Sequence, residues 1–175
     1  MFLIPVYWCR PLGKESSRIY PSRPIIGVGA VVIHDGKILL VERAREPYKG
    51  YWTVPGGVQR VGETLEEAVL RELEEETGIT GRVEGTIWVD EVIEYENGRV
   101  KYHYVIIDML VEPCSLEVRA SSDASRAEWF SLDEAMNLKL TDTMRAMLEF
   151  IKKSKMEVIV LPYYKPRPAT MRDGC

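Results

Sequence analysis

The chain has 175 residues, of which 46% are hydrophobic and 29% are charged, and its formal net charge at pH 7 is −4. This composition is typical of a single globular domain with a sizeable core, and its acidity argues against a nucleic-acid-binding surface built on general basicity. The sequence contains no run of eighteen apolar residues, so we expect no transmembrane helix.

Cysteine spacing and the first residues of the chain indicate the expected compartment. Cys9, Cys114 and Cys175 are far apart and odd in number, so they predict neither a zinc site nor a disulfide framework. The apolar segment 1–10 is short, contains Pro5 and lacks a basic start, which distinguishes it from a signal peptide. We therefore expect a cytoplasmic protein without membrane association.

A β-hairpin is the first predicted element. Ile25 to Ile33 is rich in β-branched residues, Asp35-Gly36 is a tight-turn signal, and Lys37 to Glu42 returns as the second strand. A polar loop is predicted to follow, from Arg43 to Tyr51.

The acidic charge of the chain is concentrated in the next segment, Gly57 to Ile79. It holds seven glutamates and two arginines, a formal charge of −5. Thr64 and Glu67 have the spacing of a capping box, and Gly78 has the position of a left-handed C-terminal cap. These signals predict a helix from Leu65 to Thr77. Before it, we expect a loop whose backbone can approach a ligand closely, containing Pro55, Gly56, Gly57 and Gly62.

Three glutamates of this predicted helix lie on one face. Glu72, Glu75 and Glu76 are spaced i, i+3 and i+4. On a helical wheel Glu76 falls within the apolar stripe, and the other two line its edge. A carboxylate on the buried side is costly unless it is paired or bound to a metal, and Mg²⁺ prefers oxygen ligands. The spacing therefore favours a divalent-metal site over a solvated acidic face.

A second, longer hairpin is predicted from Arg82 to Tyr95 and from Arg99 to Val111, about the strong turn signal Asn97-Gly98. Tyr102 and Tyr104 share one face of its second strand, because side chains alternate along a strand. There they either stack on a nucleobase or pack into the sheet.

The remaining elements are shorter and end in a helix. After a loop-rich stretch from Glu112 to Ser125, the pattern predicts a short strand at Ala127 to Phe130, a small helix opened by Ser131 and Glu134, a helix at Thr141 to Lys153, and a last strand at Glu157 to Leu161. Mixed strands with one inserted helix and helices at the end predict an α+β fold.

The residues of the acidic segment form a known signature. Gly57, five residues, Glu63, seven residues and then Arg71-Glu72-Leu73-Glu74-Glu75-Glu76-Thr77-Gly78-Ile79 resemble a complete Nudix box. The preceding run, Gly50 to Gly57, also resembles the usual approach to that box. The chain is therefore identified as similar to the Nudix hydrolase family over about Pro24 to Lys153.

This resemblance implies an α/β/α sandwich, the Nudix fold, with a mixed β-sheet between helices. It divides the chain into an N-terminal extension at residues 1–23, a Nudix domain at residues 24–155, and a C-terminal strand with a Pro-rich tail at residues 156–175.

The resemblance also implies Mg²⁺-dependent hydrolysis, with Mn²⁺ as a substitute, of a nucleoside diphosphate linked to another group. Carried over by position, Glu72 and Glu76 would be the main metal ligands, and Glu75 a third ligand or a base. The carbonyl of Gly57 would add a backbone ligand. Arg71 would hold one of the glutamates in place by an ion pair.

Two further positions have less certain assignments within the family pattern. Glu63 is expected to be structural or to support the metal ligands indirectly. The general base lies either on the box helix or in a distant loop, where Asp123 is one candidate and is otherwise a turn or cap residue.

Substrate choice depends on patterns outside the box. Three stretches together resemble the branch that cleaves ADP-ribose and related sugar nucleotides: Tyr102-His103-Tyr104 followed by Val105 to Asp108, Asp123-Ala124, and Glu128-Trp129-Phe130. Many members of that branch carry a proline in the region where Tyr95 stands here, and a tyrosine there resembles the dinucleoside polyphosphate branch instead. The cations of the polar loop either bind phosphates or form a solvated surface (Arg43, Arg45 and Lys49).

Three functions remain open at this point. The first is a diphosphatase for ADP-ribose or another sugar nucleotide, and the second is a house-cleaning hydrolase of nucleoside triphosphates or dinucleoside polyphosphates. The third is a non-catalytic domain that senses a nucleotide, which the complete set of Arg71, Glu72, Glu75 and Glu76 disfavours.

The apolar segment at Phe2 to Trp8 and the run Val158 to Leu161 predict assembly. Both are too apolar to lie free in water. We expect at least one of them to pair across a homodimer interface as an added strand or a swapped arm. The alternative is that each packs on its own chain.

Overall fold

The structure is a computed structural model that describes residues 18–46, 48–119, 124–154 and 161, with only the backbone described at 124 and 125. The N-terminal apolar segment, Asp123, the Pro-rich tail and all of the predicted last strand except Leu161 lie outside the described residues. No helix among the described residues is long and apolar enough to cross a membrane.

The described elements are mainly strands. In chain order they are β1 (Ile25–Val31), β2 (Ile33–His34), β3 (Lys37–Arg43), β4 (Trp52–Thr53), β5 (Gly56–Val58), α1 (Leu65–Thr77), β6 (Gly81–Glu96), β7 (Arg99–Pro113), β8 (Ala124–Ser131), α2 (Leu132–Ala135) and α3 (Asp142–Lys153).

The strands form two sheets. One has the order β5-β1-β7-β6, in which β1 and β7 are parallel and the other neighbours are antiparallel. In the second sheet, β3 pairs with β2, β4 and β8, all antiparallel. The first sheet is the one that matters most for the site, since β5 lies at one of its edges and β7 in its interior.

Alternate residues of β1 and β3 face two separate cores. One core contains Val31, Ile38 and Leu40 and is covered by α3, through Met144, Met147, Leu148 and Ile151. The other contains Ala30, Val32 and Leu39 and is covered by α1, through Ala68, Val69 and Leu73. Helices thus cover opposite faces of the strands, as expected for an α/β/α sandwich.

Local sequence signals predicted the ends of α1 correctly. The helix begins after Thr64, whose side chain and that of Glu67 form a reciprocal capping box, and it ends at Gly78 with φ of 72°. The turn at Asn97-Gly98 also forms, with positive φ at both residues.

The glycine-rich approach to α1 differs from the sequence-based expectation. It was expected to be a loop, but Gly56–Val58 is a strand that pairs with β1. The pairing is unusually close, because a Cβ added to Gly56 would overlap the carbonyl oxygen of Val28. Glycine at this position therefore allows β5 to lie close to β1.

The bounds of two predicted strands were also wrong. The first predicted strand divides at Val32 into β1 and β2, and β8 begins at Ala124, well before the expected Ala127. The extra residues of β8 pair with β3 across a register shift between Glu42 and Arg43, a tertiary contact that local patterning cannot reveal.

Candidate active site

The acidic helix α1 lies against β1 and β5. Two of its glutamates, Glu72 and Glu76, contact β5 (Gly56–Val58), which we call the glycine strand. Oε2 of Glu76 accepts a hydrogen bond of 3.0 Å from the backbone N–H of Gly56. The carboxylate of Glu72 lies over Gly57, where any Cβ would overlap it. Two carboxylates one helical turn apart are therefore held at consecutive glycines of β5.

The guanidinium of Arg71 connects the loop before α1 to the helix by hydrogen bonds. Its Nε and Nη2 donate to the two carboxylate oxygens of Glu63 at 2.7 and 3.0 Å, and Nη2 also donates to the carbonyl of Val58 at 3.2 Å. Its Nη1 donates to Oε1 of Glu72 at 2.6 Å. One guanidinium thus joins β5, the loop and the helix.

The electrostatics of this ion pair agree with its geometry. The side chain of Arg71 is 15% exposed and that of Glu63 is 19% exposed. The hydrogen bonds from Arg71 lower the pKa of Glu63, aided by the backbone N–H of Arg60 and opposed by burial. The same interaction raises the pKa of Arg71, so both groups are charged at neutral pH.

Glu75 is placed differently from the other two glutamates of its face. Its side chain is 48% exposed, and it pairs with Arg60 at 3.4 Å and with Arg71 at 3.3 Å. In the part of the chain that the structure describes, no three His, Cys, Asp or Glu side chains are grouped so that they could hold a metal ion together.

The residues at β5 still fit a hard divalent cation. Glu72 and Glu76 offer carboxylate oxygens, and Gly57 lies beside them without a side chain to fill the space. Mg²⁺ is commonly held by only one or two carboxylates, with waters and substrate phosphates completing its coordination. The carboxylates of Glu72 and Glu76 beside the backbone of Gly57 suit this kind of coordination. Glu75 lies at the solvent-exposed edge of the site.

Two candidate nucleotide-binding residues, Tyr102 and Tyr104, lie side by side on β7, in the hairpin of β6 and β7. The rings of Tyr102 and Tyr104 are stacked, with centroids 6.4 Å apart and planes inclined by 30°. Burial raises the pKa of Tyr104, while Arg18 and Arg43 oppose this shift electrostatically. Arg43 and Tyr104, which are distant in the sequence, are therefore close in space.

A hydrogen bond holds the loop between β3 and β4 against the hairpin formed by β6 and β7. The hydroxyl of Tyr48 donates a hydrogen bond to Glu94, and Tyr48 has a left-handed backbone with φ of 66°. Burial and that hydrogen bond raise the pKa of Tyr48 to about 12. No local pattern in the sequence predicted this contact, because it depends on where the loop lies in the fold.

Two aspartates, Asp90 and Asp108, were not predicted as site residues, although Asp108 ends the strand pattern that resembles the ADP-ribose branch. Asp108 is 5% exposed, in the interior of β7. A signal was available, because a lone aspartate interrupts the apolar run of residues 105–111. Burial of a carboxyl at such a position is rare without a partner.

The Arg71–Glu63 pair makes a prediction about stability. Replacing Glu63 by Gln should lower the free energy of unfolding at pH 7 by about 1.5–3 kcal/mol, as expected for hydrogen bonds to a charged group. Because folding lowers the pKa of Glu63, its stabilisation is present above the unfolded pKa and is lost as pH falls through the folded value. Urea unfolding at pH 7 and below pH 4 measures both effects.

Glu74 provides the matched control, since it lies on the same helix but is exposed. Glu74→Gln should leave the free energy of unfolding within about 0.5 kcal/mol of the native value. Equal stability of Glu63→Gln and Glu74→Gln at pH 7 would show that Arg71 does not organise the site.

Comparisons with known proteins agree with this geometry. The chain is 35% identical over 121 residues to an ADP-ribose pyrophosphatase of Methanocaldococcus jannaschii, a match that covers 69% of each chain. It is 35% identical over 114 residues to a MutT-like protein of Streptomyces ambofaciens, covering 65% of this chain and 68% of that protein.

Similarity to a solved structure and a match to a protein family identify the family of this chain. The crystal structure of a MutT NUDIX hydrolase from Burkholderia pseudomallei superposes with a TM-score of 0.65 and 37% identity, over 73% of this chain and 98% of that one. The sequence model of the NUDIX domain family matches residues 23–151. This range includes both hairpins, β5, and Arg71 with the residues to which it is bonded. The chain therefore belongs to the NUDIX hydrolase family.

Proposed function

We propose that this hydrolase cleaves ADP-ribose or a related sugar nucleotide, with Mg²⁺ as its metal, to give AMP and a sugar phosphate. The observation that carries the proposal is the placement of Glu72 and Glu76 against the glycines of β5, where Arg71 holds Glu72 and the backbone N–H of Gly56 holds Glu76. The name of the M. jannaschii relative, ADP-ribose pyrophosphatase, supports the substrate class.

In this proposal Glu72, Glu76 and the backbone of Gly57 hold the metal, and Glu75 adds a ligand from the rim or acts as a base. Mn²⁺ would substitute because it also accepts oxygen ligands. When bound, the cation neutralises the diphosphate and activates a water. NUDIX hydrolases generally use divalent metals, which agrees with this acidic, all-oxygen donor set.

The remaining residues of the site orient these groups. Arg71 fixes the direction of the Glu72 carboxylate and donates a hydrogen bond to the carbonyl of Val58 at the end of β5. Glu63, held on both oxygens by Arg71, acts as a positioning residue. Asp123, the loop candidate for the general base, lies outside the described residues and stays a prediction.

Nucleotide binding is assigned to the face that carries Tyr102 and Tyr104. Their stacked rings offer a surface for a base, and Arg43 beside Tyr104 supplies a positive charge for phosphate. We also propose that the protein acts in the cytoplasm on a small nucleotide. The homodimer remains a proposal, since the apolar N-terminal segment lies outside the described residues.

A house-cleaning hydrolase of nucleoside triphosphates or dinucleoside polyphosphates is the second candidate. The names of the S. ambofaciens and B. pseudomallei relatives, MutT-like protein and MutT NUDIX hydrolase, support it. Tyr95, which resembles the dinucleoside polyphosphate branch, is 69% exposed and so accessible to a large substrate. A purely nucleotide-sensing domain has no need of the complete glutamate set and is disfavoured.

The metal assignment makes a prediction about turnover. Activity should vanish with chelator and return with Mg²⁺ or Mn²⁺. Glu76→Gln should lower kcat at least about 10²-fold without unfolding the protein, because it removes charge that stabilises the transition state. Glu74→Gln, on the exposed side of the same helix, should retain near-native turnover. Near-normal rates for Glu76→Gln would refute the assignment.

The substrate assignment makes a separate prediction. In a side-by-side comparison of kcat/KM, ADP-ribose should exceed dinucleoside polyphosphates and nucleoside triphosphates and should yield AMP and ribose 5-phosphate. Tyr104→Ala should raise KM more than it lowers kcat, because base stacking is similar in the ground and transition states. If ADP-ribose ranked last, the second candidate function would replace the first.

A further inference from the structure

A tight turn holds the backbone of Arg60 beside the acidic site. The N–H of Arg60 donates to Oε2 of Glu63 at 2.8 Å, and its carbonyl oxygen accepts a hydrogen bond of 3.1 Å from the N–H of Glu63. The side-chain amide of Gln59 donates to the carbonyl of Glu63 at 2.8 Å. Because Arg71 holds both carboxylate oxygens of Glu63, the backbone of Arg60 is fixed relative to α1.

The side chain of Arg60, in contrast, is mostly in solvent. It is 61% exposed, and among the described residues its guanidinium makes one contact, from Nη2 to Oε1 of Glu75 at 3.4 Å. A guanidinium carries five N–H donors in a planar fork that fits carboxylate or phosphate oxygens. Arg71, the other cation between Gly57 and Ile79, already donates from all three of its nitrogens. Arg60 is therefore the cation of this segment that is able to bind an added anion.

Glu75 lies between these two guanidinium groups. Its Oε1 faces Arg60 at 3.4 Å, and its Oε2 faces Nη1 of Arg71 at 3.3 Å. The same Nη1 donates to Glu72 at 2.6 Å, so Arg71 cannot move without losing Glu72. The contact with Arg60 is an exposed ion pair, and such pairs stabilise little. Of the two partners of Glu75, Arg60 is therefore the one that is easily displaced.

A phosphate group is the kind of ligand that would displace Arg60 from Glu75. Arginine–phosphate pairs are charge-assisted and often bidentate, and they are shorter and stronger than a single contact of 3.4 Å. Glu75 is on the same helix face as Glu72 and Glu76, within one turn of both. A diphosphate bound at those two glutamates would therefore have its oxygens within reach of the Arg60 side chain.

We propose that Arg60 is a substrate-binding residue that moves from Glu75 to a phosphate group of the nucleoside diphosphate, and that this exchange releases Glu75 to the metal site. The inference rests on the proposed hydrolysis and adds a residue that recognises the diphosphate. Arg60 is one of the five residues between Gly57 and Glu63 that the Nudix signature leaves unspecified. Its role is therefore a property of this chain.

This exchange predicts opposite effects on two affinities when the guanidinium is removed. The charge of Arg60 repels a divalent cation and neutralises Glu75, so a variant without that charge should bind the metal more tightly. The same variant lacks the phosphate contact, so it should bind a diphosphate more weakly. Replacing a residue that only supported the fold of the site would weaken both.

The test measures the two affinities of the whole chain separately, so that hydrolysis plays no part. Mn²⁺ binding is followed by electron paramagnetic resonance without nucleotide, and ADP binding by titration calorimetry without divalent cation. Arg60→Gln should bind Mn²⁺ about 3- to 10-fold more tightly, as expected when one unit charge is removed close to the cation in a solvated site. It should bind ADP about 10-fold more weakly.

Two further variants separate the phosphate contact from a general effect of charge. Arg60→Lys keeps the charge but not the planar fork, so it should bind Mn²⁺ with native affinity and ADP with an affinity between those of the native protein and Arg60→Gln. Arg82 provides the matched control, because it is also exposed and pairs with one glutamate, Glu84, at 2.7 Å. It lies on β6, at the opposite edge of the sheet from β5, so Arg82→Gln should leave both affinities native.

Four results would overturn the inference. They are unchanged or weaker Mn²⁺ binding by Arg60→Gln, native ADP affinity in that variant, Mn²⁺ binding by Arg60→Lys as tight as that by Arg60→Gln, and the same two changes in Arg82→Gln. The proposed hydrolysis fails by a different measurement, the turnover of ADP-ribose by the native protein, so the two failures are distinguishable.

Discussion

The guanidinium of Arg71 connects the acidic helix α1 to the residues before it, through hydrogen bonds to Glu63, Glu72 and Glu75. Seven glutamates lie within 23 residues from Gly57 to Ile79, and such a density of like charge would repel if it were not compensated. Arg71 holds Glu63 by both oxygens, Glu72 by one and the carbonyl of Val58. The loop before α1 is thereby fixed to the helix, and Glu72 is directed at Gly57.

Small residues provide the second constraint. The glycines of β1 and β5 face one another across the strand pair, with Gly29 opposite Gly56 and Val28 opposite Gly57. On one side of these strands the bare backbone receives the carboxylates of α1, and on the other it lies beneath Asp108. The carboxylates of α1 and the buried carboxyl of Asp108 thus lie on opposite faces of the same pair of strands.

Local signals in the sequence predicted much of this arrangement, and tertiary contacts account for what they missed. The capping residues Thr64 and Gly78 define α1 within the chain itself, so the helix was predicted at its observed ends. The strand character of Gly56–Val58 depends on pairing with β1, which no local pattern contains. The face shared by Glu72, Glu75 and Glu76 was predicted from helix geometry, but the ion pair of Glu75 with Arg60 depends on where the loop before α1 lies. The surroundings of Asp108 required four separate elements, β4, β6, β7 and α3, to be placed together.

The central claim is that Glu72 and Glu76 bind a divalent cation at the glycine strand, and Mn²⁺ binding tests it most directly. Titration of the whole chain with Mn²⁺, followed by electron paramagnetic resonance without nucleotide, should show a site that Glu72→Gln weakens at least about 10-fold. Glu66→Gln, on the same helix but not among the proposed metal ligands, should leave the affinity unchanged. Native Mn²⁺ affinity in folded Glu72→Gln protein would contradict the account.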